Sequence, residues 1–203
     1  MPWHPVAAAL LAATGAPIAA PSANRFGRVS PTRAEHVAED LGDRVDMILD
    51  AGPTPMGVES TVIDVTQTPA VILRPGGISR EELEKMLGPV RLATGVADEA
   101  AQTGLTGPGM TLKHYAPRAS VELFENPAEL QTRADNLRSE GKRVGVLNTA
   151  SSIERLAQTV FAQLRDLDTQ GVEMILCLLP APQGLGLAVR DRLLRAAGKG
   201  GQT

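Results

Sequence analysis

The chain has 203 residues, room for one large domain or two small ones, and 43% apolar residues supply an ample core. A net charge of -3 and only 2% aromatics argue against a dedicated nucleic-acid binder, which is usually basic and offers rings for base stacking. One cysteine excludes an internal disulfide and points to a reducing compartment, and no apolar run approaches the roughly 20 residues of a membrane span, so a soluble, cytoplasmic protein is expected.

Residues 5–13 are alanine-rich and predict a helix that Gly15 can cap. Ile18, Ala19 and Ala20 read as a short buried strand that Pro21 stops, with Ser22, Ala23 and Asn24 at its carboxyl end. Gly27 and Ser30-Pro31 lead into a helix near Thr32. In α/β folds ligands bind at such strand-to-helix junctions, and Arg25, Arg28 and Arg33 make the local field suit an anion. The alternative is a polar loop with capping residues. Ala34, Val37 and Leu41 mark the apolar face of the helix, which ends at Gly42. Thr32 with Glu35 fits a capping box, and Ser30 before Pro31 offers a competing start.

Residues 45–49 predict a strand and 50–56 a Gly/Pro-rich loop. Two β-rich runs follow, 60–65 and 70–73, joined by a turn at 66–69. Pro75, Gly76 and Gly77 end the second. Ser79 and Glu82 box the next helix, and Gly88 closes it. Residues 93–109 are small, polar and without periodicity, as in an interdomain linker, and lead to Lys113-His114-Tyr115.

Beyond the linker, strands at 121–124 and 143–147 flank a helix at 127–139. Ile153, Leu156, Ala157, Val160, Phe161 and Leu164 keep helical spacing. The nearly continuous apolar run 172–179 fits a central parallel strand, with Cys177 as a buried apolar residue rather than a nucleophile. A helix at 185–197 completes a small parallel α/β unit. Gly184 and Gly186 read as helix capping or, less specifically, as part of a dinucleotide fingerprint whose third glycine position holds Val189.

Polar groups gather where strands end: Ser22 and Asn24, then Glu59, Ser60 and Thr61, then Arg74. A phosphate ligand needs fixed donors and a permanent cation, and arginine can grip it through two parallel hydrogen bonds. Arg74, between an apolar run and a Pro-Gly-Gly turn, is the leading candidate, with a salt bridge at a sheet edge as the plain alternative. Asp50 and Asp64 are expected to make structural hydrogen bonds, and His4 and His36 to lie on the surface. No His/Asp/Glu cluster has metal-site spacing.

The motifs PSANRFGRVSPT, GVESTVIDV, ILRPGG and GPGMTLKHYAP, in this order, resemble the threonylcarbamoyl-AMP synthases of the Sua5 type from about residue 4 to 197. The resemblance implies an α/β chain comprising the C-terminal portion of a YrdC-like twisted-sheet domain at 1–92, a linker at 93–118 and a small Rossmann-like parallel domain at 119–203. It implies ATP-binding roles for Ser22, Asn24, Thr32, Arg74 and Tyr115, with Arg74 as the catalytic arginine, and a threonine contact at Ser60. His114 and Tyr115 would form a linker lid. The family's Lys-x-Arg motif is absent, so the chain reads as the C-terminal part of a longer enzyme, and activity of this part alone is uncertain.

The implied reaction forms threonylcarbamoyl-AMP and pyrophosphate from L-threonine, bicarbonate or CO2, and ATP with Mg2+, for t6A modification of tRNA. Threonine's amine takes up CO2, and the carbamate oxygen attacks the α-phosphate. The product feeds the t6A transfer machinery. Two other readings remain open: a non-catalytic YrdC-like RNA-binding module, whose affinity would fall steeply with salt, and a carbamoyl-transferring relative of the hydrogenase-maturation type. The linker and following α/β unit favour the Sua5 arrangement over the latter.

Overall fold

The computed structural model describes residues 2, 4–93, 115–149 and 152–199; most of the expected linker, His114 included, lies outside the described residues. Helix α1 (Pro5–Thr14) starts on a proline, whose missing N–H costs nothing in a first turn. It stops where Gly15, at φ 61°, donates its N–H to the Leu11 carbonyl at 3.1 Å. None of its residues is buried. Helix α2 (Ala34–Leu41) runs into a short 3-10 turn at Gly42–Arg44. The capping box expected at Thr32 is not formed: the helix N-cap is Arg33, without a side-chain cap. Thr32 instead points its N–H at Nδ1 of His36, 3.1 Å away.

A mixed three-stranded sheet follows, in the order β1 (Val62–Asp64), β2 (Ala70–Arg74), β3 (Val90–Leu92). The β1–β2 pair is antiparallel and β2–β3 parallel, and α3 (Arg80–Leu87) makes the crossover. The Ser79–Glu82 box holds its start, as the sequence predicts: Ser79 Oγ accepts from the Glu82 N–H at 3.2 Å while the Glu82 carboxylate takes the Ser79 N–H at 2.8 Å.

Two predicted strands are absent and one unpredicted strand is present. Residues 18–20 and 45–49 form no ladder among the described residues, and Ile18, Met47 and Leu49 are exposed. An apolar run is a strand only where a neighbour takes up its N–H and C=O groups. Val90–Leu92 has one, because the crossover lays it beside β2.

The second sheet is all parallel, in the order β4 (Ser120–Phe124), β6 (Met174–Leu178), β5 (Val144–Val146). Alternation along the central strand sorts its side chains between two faces. Ile175 and Cys177 meet helices α5 (Ile153–Thr169) and α6 (Leu185–Ala196) through Leu156, Val160, Phe161, Val189 and Leu193. Leu176, Met174 and Leu178 meet Leu130, Ala134 and Leu137 of α4 (Pro127–Ser139) on the other. Burying each such Leu or Ile contributes about 1.5–3 kcal/mol. Burial alone pushes the Cys177 thiol up to about 12, so it stays a protonated apolar group.

The larger core cluster also takes in Val29, Val58 and Tyr115 from outside that layered unit. The chain around residue 57 lies directly on α5, with the Gly57 N–H donating to the Ala157 carbonyl at 3.1 Å. A Cβ at this glycine would overlap the Gln158 carbonyl, which explains the residue type. No helix among the described residues is long and apolar enough to cross a membrane.

Candidate functional site

Arg74 is the last residue of β2, the middle strand of its sheet, so it does not sit at an edge. Its side chain is buried and turns back to the neighbouring strand end, where Nη2 and Nε donate to the Ser60 carbonyl at 2.9 and 3.3 Å. Close approach is what allows this: a Cβ at Gly76 would overlap the backbone of Ser60 and Thr61, so only glycine lets the turn pass. The Gly77 N–H then donates to the Glu59 carbonyl at 3.0 Å. Ser60 and Arg74, two predicted site residues, are therefore joined, with the Ser60 side chain exposed beside them.

Glu59 lies just behind Ser60. Its carboxylate accepts from Ser30 Oγ at 2.8 Å and from Nε of Arg192 at 2.7 Å. Arg192 belongs to α6 and is fully buried. Its Nη2 donates to the Pro75 carbonyl at 2.9 Å, one residue beyond Arg74, and its Nη1 to Asp191, which also takes Nε of Arg195. Two guanidiniums and two carboxylates thus neutralise each other largely out of water, where an unpaired charge would be strongly destabilising. Burial would raise the Glu59 pKa, but the Arg192 charge and the Arg192 and Ser30 hydrogen bonds overcome it and hold the carboxyl below its usual value.

Tyr115 closes this group. Its ring, 1% exposed, stacks on Phe161 with centroids 5.2 Å apart, and the Arg192 guanidinium lies 5.2 Å over its face. Burial raises its hydroxyl pKa, with the Arg192 charge opposing. The residue adopts φ 59°, an uncommon conformation for a non-glycine, held by the packing of its ring. Tyr115 is thus a core residue between α5 and α6, not a group on an open wall.

The predicted residues of the first loop divide. Asn24 shapes the turn, giving Nδ2 to the Arg25 and Arg28 carbonyls at 3.0 Å each, while its Oδ1 is buried without a partner among the described residues. Gly27 at the tip of that turn accepts the N–H of Ala116 at 2.9 Å, which brings Asn24 to the chain beside Tyr115. Ser22 is exposed. Thr32 is buried against His36; among the described residues its hydrogen bonds are with His36 and, at its carbonyl, from the Thr54 N–H at 2.9 Å, and none reaches Arg74 or Ser60.

His36, expected on the surface, is 2% exposed. Asp50 and Asp64 behave as expected, accepting from the Gly52 N–H at 2.9 Å and from Thr66 and Gln67. Gly184 caps α6 at φ 54°. Two open clefts lie along α5, one facing the first loop and α2, the other facing α2. One, of about 430 Å³, is lined by Arg25, Arg28, Asp40, Arg118 and Asp168, and one of about 600 Å³ by Arg33, His36, Arg165 and Asp166. Neither is lined by Ser22, Asn24, Ser60 or Arg74. Their charges are largely engaged, since Arg165 pairs with Asp40 and Asp168 accepts the N–H groups of Arg118 and Ala119.

Sequence reasoning noted Glu59 without assigning it a role and passed over Arg192. The signal for Arg192 was present: with Leu185, Ala188, Val189 and Ala196 it falls on one helical stripe, where a lone charge among apolar residues calls for a buried partner.

Residues 78–198 match the family described as threonylcarbamoyl-AMP synthase, C-terminal domain. Residues 1–76 match the Sua5/YciO/YrdC family described as telomere recombination. Among curated relatives, the threonylcarbamoyl-AMP synthase of Pyrococcus abyssi is 42% identical over 98% of this chain and 63% of its own length. The Bacillus subtilis protein of the same name is 40% identical over 98% of the chain and 62% of its own. The crystal structure of P. abyssi Sua5 complexed with L-threonine superposes with a TM-score of 0.87 at 40% identity, over 98% of this chain and 63% of that one. The chain spans less than two thirds of the length of these relatives. The mixed and parallel sheets fit the YrdC-like and C-terminal units of that structure. With its C-terminal match covering well over half of its length, the chain belongs to the Sua5-type threonylcarbamoyl-AMP synthase family.

Proposed function

We infer that this chain carries part of the site of an L-threonylcarbamoyl-AMP synthase, an ATP-dependent nucleotidyltransferase. The observation that carries this reading is the Arg74–Ser60 junction at two adjacent strand ends, with the buried acceptor of Asn24 on a neighbouring turn tied to the chain beside Tyr115. In this reading the threonine amine adds to CO2, losing a proton. One oxygen of the resulting carbamate attacks the α-phosphorus of ATP, and the bond to the leaving pyrophosphate breaks. Arg74 offsets phosphate charge, Asn24 and Ser22 hold the nucleotide, Ser60 orients threonine, and Thr32 supports the loop-to-helix junction. Catalysis is then placement plus charge stabilisation.

His114 and Tyr115 would attach the linker, with Tyr115 as its anchor beside Arg74 and Glu59. The division at 1–92, 93–118 and 119–203 belongs to the same reading. Glu59 is engaged by Arg192 and Ser30, and among the described residues no three His, Cys, Asp or Glu gather as a metal site. Mg2+ would therefore accompany the triphosphate as a counter-ion rather than sit in a protein cage. Bicarbonate or CO2 and the t6A transfer machinery of the cytoplasm complete the proposed reaction sequence.

The test is pyrophosphate release that requires both ATP and threonine, from this chain and from one extended upstream. Release from neither sinks the reading. In the active form, Arg74→Ala removes a charge-assisted contact, so kcat/KM for ATP should fall by about 10- to 100-fold; unchanged kinetics would remove Arg74 from the site.

A further inference from the structure

The group around Arg192 joins segments far apart in the chain: Glu59 is 133 residues away, and the Pro75 carbonyl 117. Both acceptors are next neighbours of predicted site residues, Ser60 and Arg74. The same guanidinium covers Tyr115, the residue of the expected linker at which the described structure resumes. One planar fork thus fixes two strand ends and the seat of the linker relative to α6. Stability alone would not require this arrangement, since buried ion clusters rarely outperform apolar packing of the same volume.

We propose that Arg192 is a positioning residue, through which the C-terminal unit sets the spacing of Ser60, Arg74 and the Tyr115 end of the linker. It touches no reacting atom and acts through Glu59 and the Pro75 carbonyl. The kinetic consequence rests on the function proposed above; the structural one does not. A lysine at this position keeps the charge but cannot serve both acceptors in one plane while covering the ring.

The experiment uses Arg192→Lys, Arg192→Met and the double variant Glu59→Leu/Arg192→Met. The single Met change leaves Glu59 without its ion partner and is costly to folding, whereas the double variant leaves no unpaired charge because Asp191 retains Arg195, and only the neutral Ser30 hydroxyl and Pro75 carbonyl lose a partner. Tyr115 is the sole tyrosine of the chain, so its nitration rate reads the seat of the linker directly. In the double variant, melting close to that of the unmodified protein should accompany nitration at least several-fold faster. KM for ATP in pyrophosphate release should rise and kcat/KM fall by on the order of 100-fold, the cost of a misplacement near 1 Å. Arg192→Lys should lie between the two.

A folded double variant with unmodified nitration overturns the proposal. So does one with faster nitration but unmodified KM and kcat. An unmodified protein that releases no pyrophosphate in any form overturns the functional reading instead, and the nitration rates still decide whether Arg192 seats the linker.

Discussion

Nδ1 of His36 takes the Thr32 N–H at 3.1 Å, and Nε2 faces Nη2 of Arg33 at 3.0 Å. A doubly protonated ring would aim an N–H at a donor on each side. Burial first, then the charges of Arg165 and Arg33, hold its pKa below the ordinary 6.5. The unfolded chain therefore takes up this proton at higher pH than the folded one. Stability from neutral His36 is complete above about pH 6.5 and declines as the pH falls below it. Melting temperature should drop between about pH 7 and 5, and the slope should flatten in His36→Asn; equal slopes would show that the ring does not titrate there. Glu59, held low, has the opposite requirement. Its ion pair is intact above the ordinary carboxylate value of 4.5 and is lost only as pH falls through the lower folded value, so the two windows separate. Asp40 tests a third contact: it pairs with Arg165 across to α5, with both side chains largely buried. Asp40→Asn should cost about 1.5–3 kcal/mol in denaturant titration, as expected for a hydrogen bond to a charged group.

At the scale of elements, α3 has the clearest local code. Its Ser79–Glu82 box is legible in four letters and forms as read. Ser79→Ala should cost about 1 kcal/mol, with a shifted urea midpoint and an unchanged m-value. The Pro75-Gly76-Gly77 turn shows the other extreme. Its composition announces a turn, but nothing local reveals that Ser60 and Thr61 lie against Gly76. Gly76→Ala should separate Ser60 from Arg74 and destabilise by about 1–3 kcal/mol, the usual cost of overpacking. Wild-type stability in that variant would mean the turn has slack. The central strand at Met174–Leu178 was readable because burial on both faces needs a continuous apolar run. Residues 18–20 were misread for the complementary reason. Apolar letters state a preference for burial, and no ladder among the described residues receives them.

For the molecule as a whole, loop residues of the first half complete the core of the parallel sheet. Val29 and Val58 pack with Leu156, Val160 and Phe161 in one cluster, and Arg165 and Arg192 carry polar bonds across the same boundary. Thermal unfolding followed by far-UV circular dichroism and by the near-UV signal of Tyr115 should therefore coincide in one transition. Two resolved transitions would show that the halves melt independently.

Periodicity, caps, turn residues and motif order are properties of neighbouring letters, and the sequence by itself determined them: the helices, the central parallel strand and membership of the family. Which charges are buried was decided by tertiary structure. Arg192 and His36 are polar residues in amphipathic helices, and their local partners, Asp191 and Thr32, do not reveal the distant segments that bury them. Glu59 meets Arg192 only after 133 residues of chain have folded back. Burying a charge is a cooperative decision, made affordable by partners that only the completed fold brings within 3 Å.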